Sequence, residues 1–279
     1  MPRVPTRQIV EAARMSGYGV AAFNVITLEH AEAVVSGAET AGVPVILQVS
    51  ENAVAYHGGQ VLPLAAAAAA IADVAGVDVS LHLDHVEDQQ LLHLAAAAGF
   101  SSVMYDASKL DFADNVAATR EAARWGHAHG LYVEAELGAV GGKGGAHTPG
   151  VRTDPGEAAQ FVGDTEVDAL AVAVGSSHAM TERTAALDFD LIAAIGEAVS
   201  VPLVLHGSSG VADADLRRAV RSGIVKVNIG TILNVAFTDA VRQSLGDPSL
   251  VDPRKYLAPA RAGVADVVAH LAAVVSRPA

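Results

Sequence analysis

The stretch "VDVSLHLDH", residues 77–85, has the composition of a buried strand but ends in polar side chains. Its branched and aliphatic residues fit a strand in a protein core. Two imidazoles and a carboxylate, from His82, Asp84 and His85, share this stretch, and a buried polar group without a partner is destabilising by about 2–7 kcal/mol. The stretch therefore predicts a core strand whose polar end needs partners from elsewhere in the fold.

Similar short apolar runs recur along the whole chain, with helical patterns between them. The strand candidates are residues 20–25, 43–49, 77–85, 100–106, 131–138, 168–175, 201–207 and 224–230. Apolar residues recur at three- and four-residue spacing in residues 28–42, 62–76, 88–99, 115–130 and 188–200. Glycines that precede a strand are expected to cap the preceding helices, namely Gly42, Gly76, Gly99, Gly130 and Gly223.

This alternation predicts an α/β fold. Continuously apolar strands separated by amphipathic helices indicate a parallel sheet that is covered on both faces or closed into a barrel. Eight repeats favour a (β/α)8 TIM barrel, with residues 1–279 as a single domain and a C-terminal helical extension after "DPRKYLAPAR", residues 252–261. A doubly wound open sheet is the alternative architecture.

Composition excludes several classes of partner. The formal charge of −13, without a basic cluster, argues against nucleic acid. Cysteine is absent, so His and carboxylate side chains remain as ligands for any zinc, and a reducing cytoplasm is the expected location. The most apolar run, residues 62–76, contains Asp73 and is too short for a membrane span, and the N-terminus has no export-signal pattern.

Polar residues fall at the ends of successive strand candidates. They are Asn24, Ser50, Asp84, His85, Asp106, Glu134, Glu136, His178, His206 and Asn228. A barrel brings the carboxyl ends of all its strands to one rim, where active sites of this fold are assembled. Residues from distant parts of the chain are therefore expected to meet there.

Three of these residues, His85, His178 and His206, match a catalytic zinc site with three nitrogen ligands and an open position. Taken singly, each imidazole is also compatible with a hydrogen bond to a loop. His82 lies two residues before Asp84, so a core or supporting role is expected for it. Most of the remaining histidines are expected to be solvated, namely His30, His57, His93, His127, His129 and His270.

Eight motifs together resemble the class II, zinc-dependent ketose-bisphosphate aldolases. In order they are "LHLDH", "GFSSVMYDAS", "NVAATREAARWGHAHG", "VEAELGAVGG", "DALAVAVGSSH", "PLVLHGSSG", "GIVKVNIGT" and "DPRKYLAPAR". The resemblance runs from about Phe23 to Arg261. It implies a lyase of carbohydrate metabolism, such as glycolysis, that cleaves a ketose (bis)phosphate to dihydroxyacetone phosphate and an aldehyde through a metal-stabilised enediolate.

The resemblance also implies the roles of individual residues. His85, His178 and His206 would bind the catalytic Zn2+, and Asp84 would be the acid/base at the hydroxyl of the cleaved bond. Carboxylates matching Asp106 and Glu136 would serve a second metal position or orient the histidines. The resemblance also implies a homodimer or a homotetramer.

Phosphate recognition is expected from "HGSSG" and "VNIGT", because small residues let backbone N–H groups approach an anion. The resemblance implies Gly207, Ser209, Asn228 and Thr231, with the backbone of Ala179 close by, and a monovalent cation, Na+ or K+, nearby. Asn24 and Ser50 complete the predicted substrate site. The partner is a small sugar phosphate.

The chain departs from the family pattern in three places. The glycine-rich loop reads "GGKGGAH", so Lys143, Gly144 and Gly145 stand where the family carries a carboxylate that moves a proton on dihydroxyacetone phosphate. One hypothesis is that His147 replaces this base, and a surface imidazole is the alternative. Ala179 and Ser208 replace glycines of the family pattern, which suggests that the substrate pocket is narrowed or shifted where it binds the phosphate.

Three other functions remain open at this stage. Zinc beside an Asp is also suited to hydrolysis. Lys226 on the last strand suggests a Schiff-base aldolase. The missing loop carboxylate also suits a catalytically altered paralogue that only binds a sugar phosphate, or an aldolase for a non-standard substrate.

Overall fold

The barrel predicted from the sequence is present. The structure, a computed structural model, describes residues 3–138 and 151–277. Eight parallel strands form a closed barrel in chain order, which rules out the open sheet. The strands are β1 (Val20–Asn24), β2 (Val45–Ser50), β3 (Val79–Val86), β4 (Ser102–Tyr105), β5 (Tyr132–Leu137), β6 (Ala169–Val172), β7 (Leu203–Leu205) and β8 (Ile224–Ile229). Pairing of β1 with β8, with Ala22 opposite Asn228, closes the barrel.

Helices surround the barrel. They are α1 (Thr6–Ser16), α2 (Leu28–Ala41), α3 (Glu51–Tyr56), α4 (Val61–Asp73), α5 (Gln89–Leu92), α6 (Phe112–Ala128), α7 (Pro155–Thr165), α8 (Phe189–Ala198), α9 (Asp213–Arg221), α10 (Thr231–Ser244) and α11 (Pro253–Ser276). The expected C-terminal helical extension is α11.

Two local expectations were wrong. The helix predicted over residues 88–99 is regular only in α5 and continues as turns over residues 93–99. Gly76 does not cap a helix, because α4 already ends at Asp73. Gly42, Gly130 and Gly223 do adopt the positive φ expected of such caps, whereas Gly99 has a positive φ but follows turns rather than a helix.

The barrel interior is apolar at the amino ends of the strands and polar toward their carboxyl ends. Ile9 and Val10 of α1 pack there against small strand residues such as Ala22, Ala169 and Ala171. A second, larger apolar cluster lies between strands and helices. Successive strand residues face opposite sides, so the alternation in β3 places His82 and Asp84 inside while its leucines face the helices. The polar layer therefore lies directly beneath the rim.

One described helix, α11, has the length and apolar composition that would allow it to cross a membrane. Its apolar residues Val264, Val268 and Leu271 are buried, and the helix packs against α2 and α10. Its hydrophobicity is therefore accounted for by contacts within the barrel's outer layer.

Gly37 lets α2 approach α11 closely. A Cβ there would lie 2.5 Å from the carbonyl oxygen of Ala265 and 2.7 Å from Val268 Cβ, so the helices would have to separate. Gly37→Ala is expected to lower the free energy of unfolding by about 1–3 kcal/mol, as overpacked cores do. Urea denaturation measures this change.

Gly163→Ala is the matched control, because Gly163 is also helical but has open space where its Cβ would be. This substitution is expected to raise the free energy of unfolding by about 0.5–1 kcal/mol, through helix propensity alone. Equal changes for both variants would contradict the close packing of α2 on α11.

Candidate active site

A cavity of about 410 Å³ opens at the carboxyl ends of the strands. All the substrate-site residues predicted from the sequence line it, namely Asn24, Ser50, Ala179, Gly207, Ser209, Asn228 and Thr231. Asp84, His85 and His178 are also in its wall. The rim therefore collects residues from six of the eight strand ends or the loops that follow them.

Three imidazoles and a carboxylate converge on one point of this rim. Potential ligand atoms of His85, Glu136, His178 and His206 all lie within 4.8 Å of one another. The ring centroid of His85 lies 4.6 Å from that of His206 and 5.2 Å from that of His178. The ring centroids of His178 and His206 are 5.8 Å apart. The separate histidines of the sequence thus form one cluster.

A bulge in β3 aims His85 at this cluster. The pairing of β3 with β4 advances three residues, from Leu83 to Val86, against two residues in β4. His85 occupies the extra position with a φ of 52°, in the left-handed region. Such conformations are strained for a residue with a Cβ, and they occur often at functional sites.

Carboxylates behind two of the imidazoles fix their orientation. His85 Nδ1 lies 3.0 Å from Asp106 Oδ2, and His206 Nε2 lies 3.0 Å from Glu134 Oε1. When these nitrogens donate their protons, the opposite nitrogens keep lone pairs directed at the cluster. His206 Nδ1 there lies 2.9 Å from Glu136 Oε2.

This donor set suits a divalent transition metal. Three neutral imidazoles with an adjacent carboxylate provide the nitrogen and oxygen ligands that zinc accepts, and carboxylates behind the rings are typical of zinc sites. Asp106 Oδ1 already accepts hydrogen bonds from the backbone and hydroxyl of Ser108. In this arrangement Asp106 orients His85.

A buried ion pair lies beneath the cluster. Lys226 Nζ is 2.7 Å from Glu134 Oε2, and both side chains are 1% exposed. Burial alone would raise the pKa of Glu134, but Lys226 and the hydrogen bond with His206 hold it below its usual range. Burial would lower the pKa of His206, but hydrogen bonds with Glu134 and Glu136 raise it to about 9. A metal ion bound to His206 would therefore displace a proton.

Lys226→Met is expected to lower the free energy of unfolding by about 3–5 kcal/mol, because it leaves the Glu134 carboxylate buried without its cation. The pKa of Glu134 in the folded state lies below 4.5, the usual value of a glutamate side chain. The stabilisation is therefore present above about pH 4.5 and is lost as the pH falls toward the folded-state pKa. Urea denaturation at several pH values measures both effects.

The exposed Lys255→Met is the control, and the double variant Lys226→Met with Glu134→Gln is expected to recover part of the loss. Unchanged stability of Lys226→Met would contradict the ion pair.

Asp84 lies beside the cluster and is 1% exposed. Its Oδ2 is 3.8 Å from His85 Nε2, and its two oxygens accept from Gln48 Nε2 at 3.4 Å and Asn228 Nδ2 at 3.3 Å. Gln48 also donates to Asn24 Oδ1 at 2.6 Å. Sequence analysis missed Gln48, although an amide within the apolar run "VILQV" was the available signal.

Four of the histidines expected to be solvated are exposed, but His30 is buried and His57 is half-buried, with its Nε2 2.7 Å from the carbonyl oxygen of Ile26. His82 is fully buried, its Nδ1 lies 2.8 Å from Ser102 Oγ, and burial lowers its pKa, so it is a neutral core residue. His30 was expected among solvated residues but is 4% exposed and stacks on Phe237, because α2 lies beneath α10. His93 is exposed, as expected.

Close backbone approaches shape the other end of the cavity. Gly207 has a φ of 65°, and a Cβ there would lie 2.5 Å from the backbone of Ser177. The hydroxyl of Ser208 donates a hydrogen bond to the carbonyl oxygen of Asn228. The serine that replaces the family's glycine therefore links the loop after β7 to strand β8. Ala179 takes a φ of 60°, a conformation in which glycine is unstrained.

Arg183 fixes the segment that follows His178. Its Nε donates to the carbonyl of Val211 at 2.7 Å, and its Nη2 lies 2.6 Å from Asp213 Oδ1. His270 of α11 contacts the other oxygen of Asp213. The loop between β6 and α8 is therefore anchored to the neighbouring rim loop.

The predicted loop residues cannot be compared with the site, because His147 and Lys143 to Gly145 lie outside the described residues.

Fold and site together define a TIM-barrel enzyme with a candidate divalent-metal centre at its mouth. The family model described as "Fructose-bisphosphate aldolase class-II" matches residues 4–277. The chain belongs to this family of lyases, whose members are zinc-dependent in general and act on sugar phosphates.

Curated relatives and a solved structure are similar to this chain over nearly its whole length. A "Probable fructose-bisphosphate aldolase" of Bacillus subtilis (strain 168) is 39% identical over 272 residues, covering 96% of this chain and 95% of the relative. A "Fructose-bisphosphate aldolase" of Staphylococcus aureus (strain Mu50) is 36% identical with the same coverage. The YdjI aldolase structure from Escherichia coli K12 has a TM-score of 0.85 at 33% identity, covering 98% of this chain and 97% of that one.

Proposed function

We propose that this chain is a zinc-dependent aldolase that reversibly cleaves a ketose phosphate to dihydroxyacetone phosphate and an aldehyde. The observation that carries the proposal is the convergence of His85, His178 and His206 within 4.8 Å, with the buried carboxylate of Asp84 beside them. The three imidazoles would hold zinc, and Glu136 would be a fourth donor or part of a second metal position. Bound zinc would supply a Lewis acid that stabilises the negative charge left on the ketose when its carbon–carbon bond breaks.

Asp84 is the acid/base in this proposal. During cleavage its carboxylate takes the proton from the hydroxyl at the breaking carbon–carbon bond, and during condensation it returns that proton. Gln48 and Asn228 hold the two carboxylate oxygens from opposite sides, which orients the group toward the cavity.

The phosphate of dihydroxyacetone phosphate occupies the end of the cavity lined by Gly207, Ser209 and Thr231. Here α10 begins at Thr231, so backbone N–H groups and the positive end of the helix dipole favour an anion. Gly230 lies against Asn24, where a Cβ would be 3.1 Å from Asn24 Cγ. A monovalent cation at this end stays a prediction.

Asp106 and Glu134 are positioning residues in this proposal. Each accepts a hydrogen bond from a ring nitrogen that faces away from the cluster, on His85 and His206 respectively. This fixes which nitrogen of each ring is available as a ligand. A role of Asp106 as a ligand of a second metal stays a prediction.

The Schiff-base alternative is not favoured. Lys226 is 1% exposed, pairs with Glu134 and is absent from the cavity wall. Its ammonium group is thus held as a charge in an ion pair, whereas a Schiff-base lysine must reach the carbonyl as a neutral amine. Borohydride treatment with dihydroxyacetone phosphate is expected to leave the protein mass unchanged, and a stable adduct at Lys226 would overturn the proposal.

A second candidate function is that of a paralogue that binds a sugar phosphate without turnover. It is motivated by Lys143, Gly144 and Gly145 in place of the family's carboxylate. The role of His147 as the substitute base stays a prediction. The cytoplasmic location and the assembly as a homodimer or homotetramer stay predictions as well.

The experiment that tests the function is a condensation screen. Purified, zinc-replete protein is incubated with dihydroxyacetone phosphate and a panel of aldehydes, and ketose phosphate is measured by mass. Product formation that is abolished by a chelator supports the aldolase. Zinc and ligand binding without product would favour the binding paralogue, and release of inorganic phosphate or another hydrolytic product would favour hydrolysis.

A further inference from the structure

The imidazole of His178 is carried by an irregular connection and not by a strand. His85 lies within β3 and His206 follows directly after β7, whereas His178 lies in the connection between β6 and α8, residues 173–188. A metal site needs its ligands held to within about 0.5 Å, and side chains on loops are held less precisely than those on strands. The position of His178 therefore depends on the contacts that fix this connection.

The two ends of the connection are joined to each other. Asp188 donates its backbone N–H group to the carbonyl oxygen of Val174 at 2.9 Å. A Cβ on Gly175 would collide with the carbonyl oxygen of Ala186, so the backbone segments touch at this point. The segment that carries His178, residues 176–185, therefore projects from a closed base and depends on contacts made beyond that base.

The far end of this segment contacts the neighbouring rim loop, which follows β7. The backbone N–H group of Ala185 donates to the carbonyl oxygen of Gly210 at 2.9 Å. Arg183 adds two contacts, since its Nε donates to the carbonyl oxygen of Val211 at 2.7 Å and its Nη2 lies 2.6 Å from Asp213 Oδ1. The guanidinium group therefore clamps the segment to both a backbone carbonyl and a carboxylate.

The carboxylate that Arg183 contacts is itself held in place. Asp213 is the first residue of α9, and its Oδ2 lies 2.6 Å from His270 Nε2 on α11. Burial would raise the pKa of Asp213, but hydrogen bonds with Arg183 and His270 lower it. Asp213 is therefore a carboxylate at neutral pH, and it links Arg183 to two further helices.

The backbone at Ala179 would favour movement of the segment if this clamp were lost. Ala179 has a φ of 60°, in the left-handed region. This conformation is unfavourable for a residue with a Cβ and persists only where the surrounding structure enforces it. Because Ala179 directly follows His178, relaxation of its backbone would redirect the chain at the imidazole.

We infer that Arg183 is a positioning residue, which holds the imidazole of His178 at the metal cluster and the backbone of Ala179 at the substrate cavity. For its effect on catalysis the inference rests on the proposed function. An exposed Arg–Asp pair adds little to global stability, so the clamp acts on the local position of the segment. The planar guanidinium serves both contacts at once, which a lysine ammonium group does less well.

The first test measures zinc binding without turnover. Arg183→Met is expected to raise the zinc dissociation constant by about three- to tenfold, the range for loss of a partly exposed hydrogen bond. The physical reason is that only molecules with the segment in place offer all three imidazoles. Affinity is measured by competition with a chromogenic chelator. Amide hydrogen exchange over residues 176–185 of the metal-free variant is expected to be faster than in the wild type.

The second test separates positioning from general damage. In the condensation assay, Arg183→Met is expected to raise the KM for dihydroxyacetone phosphate by about three- to tenfold. At saturating zinc and substrate, kcat is expected to change by less than about twofold, because the bound ligands select the ordered segment. Arg183→Lys is expected to lie between Arg183→Met and the wild type in both dissociation constant and KM.

Two further variants complete the design. Asp213→Asn leaves the connection itself unchanged and removes the charge that Arg183 faces, so it is expected to weaken zinc binding in the same direction even if Arg183→Met folds poorly. Arg3→Met is the matched control, because Arg3 Nε lies 2.9 Å from Asp73 Oδ1 in a partly exposed pair at the opposite end of the barrel. Its zinc dissociation constant and KM are expected to equal those of the wild type.

The outcomes separate the inference from the function beneath it. A wild-type zinc dissociation constant for both Arg183→Met and Asp213→Asn would overturn the inference and leave the aldolase proposal standing. Equal weakening of zinc binding in Arg3→Met would also overturn it, since the effect would then not be local. Weaker zinc binding confined to the clamp variants, in a protein that condenses no aldehyde, would support the clamp and overturn the proposed function.

Discussion

Replacing Asp84 by Asn is expected to lower kcat for aldol cleavage by about 10²–10⁴-fold, the usual contribution of a positioned acid/base. The amide keeps the shape of the side chain and one oxygen for the donors Gln48 and Asn228. It cannot take the proton from the hydroxyl at the breaking bond. The rate is measured as triose phosphate released per zinc-loaded active site.

Two controls make this result specific to Asp84. The zinc content of Asp84→Asn should match that of the wild type, because Asp84 is outside the group of potential ligands. Asp73→Asn removes a carboxylate that pairs with Arg3 at the opposite end of the barrel, and its kcat should not change. A wild-type kcat for Asp84→Asn would remove the proposed acid/base from the mechanism.

Replacing His178 by Ala is expected to weaken zinc binding by at least about 100-fold, since loss of an outer-shell partner alone costs about 10–100-fold. His178 is the clearest ligand to test because it is half-buried on the loop after β6. Removing His206 instead would also disturb the buried carboxylates of Glu134 and Glu136. Affinity is measured by competition with a chromogenic chelator, independently of activity.

His93→Ala is the control, because His93 is an exposed histidine that packs on Trp125 and is distant from the rim. Its zinc affinity and its rate of cleavage are expected to equal those of the wild type. If His178→Ala bound zinc as tightly as His93→Ala, the ion would have to be held without this imidazole, and the three-histidine centre would be wrong.

Much of the site was predictable because a TIM barrel converts sequence order into spatial convergence. Polar residues at strand ends, such as His85, His206 and Asn228, needed only the closed barrel to meet at one rim. The identity of the family was predictable from motif order. The helix over residues 88–99 and the cap at Gly76 were wrong, because local patterns do not specify where a helix stops.

Other features depend on contacts between residues far apart in the chain. Glu51 at the start of α3, Glu87 after β3 and Lys109 after β4 lie together at the rim, and their proximity has no signature in the sequence. The burial of His30 depends on the position of α10. Such arrangements follow from packing geometry, which a single sequence does not display.

The sequence by itself determined the class of fold and the residue types available for chemistry, because the periodicity of apolar residues and the order of polar strand ends are written along the chain. Only the tertiary structure decided which ring nitrogens of His85 and His206 face the cluster, how the β3 bulge aims His85, and that Lys109 pairs with Glu87. These facts depend on distances of a few ångströms between distant segments, and those distances are set only when the barrel closes.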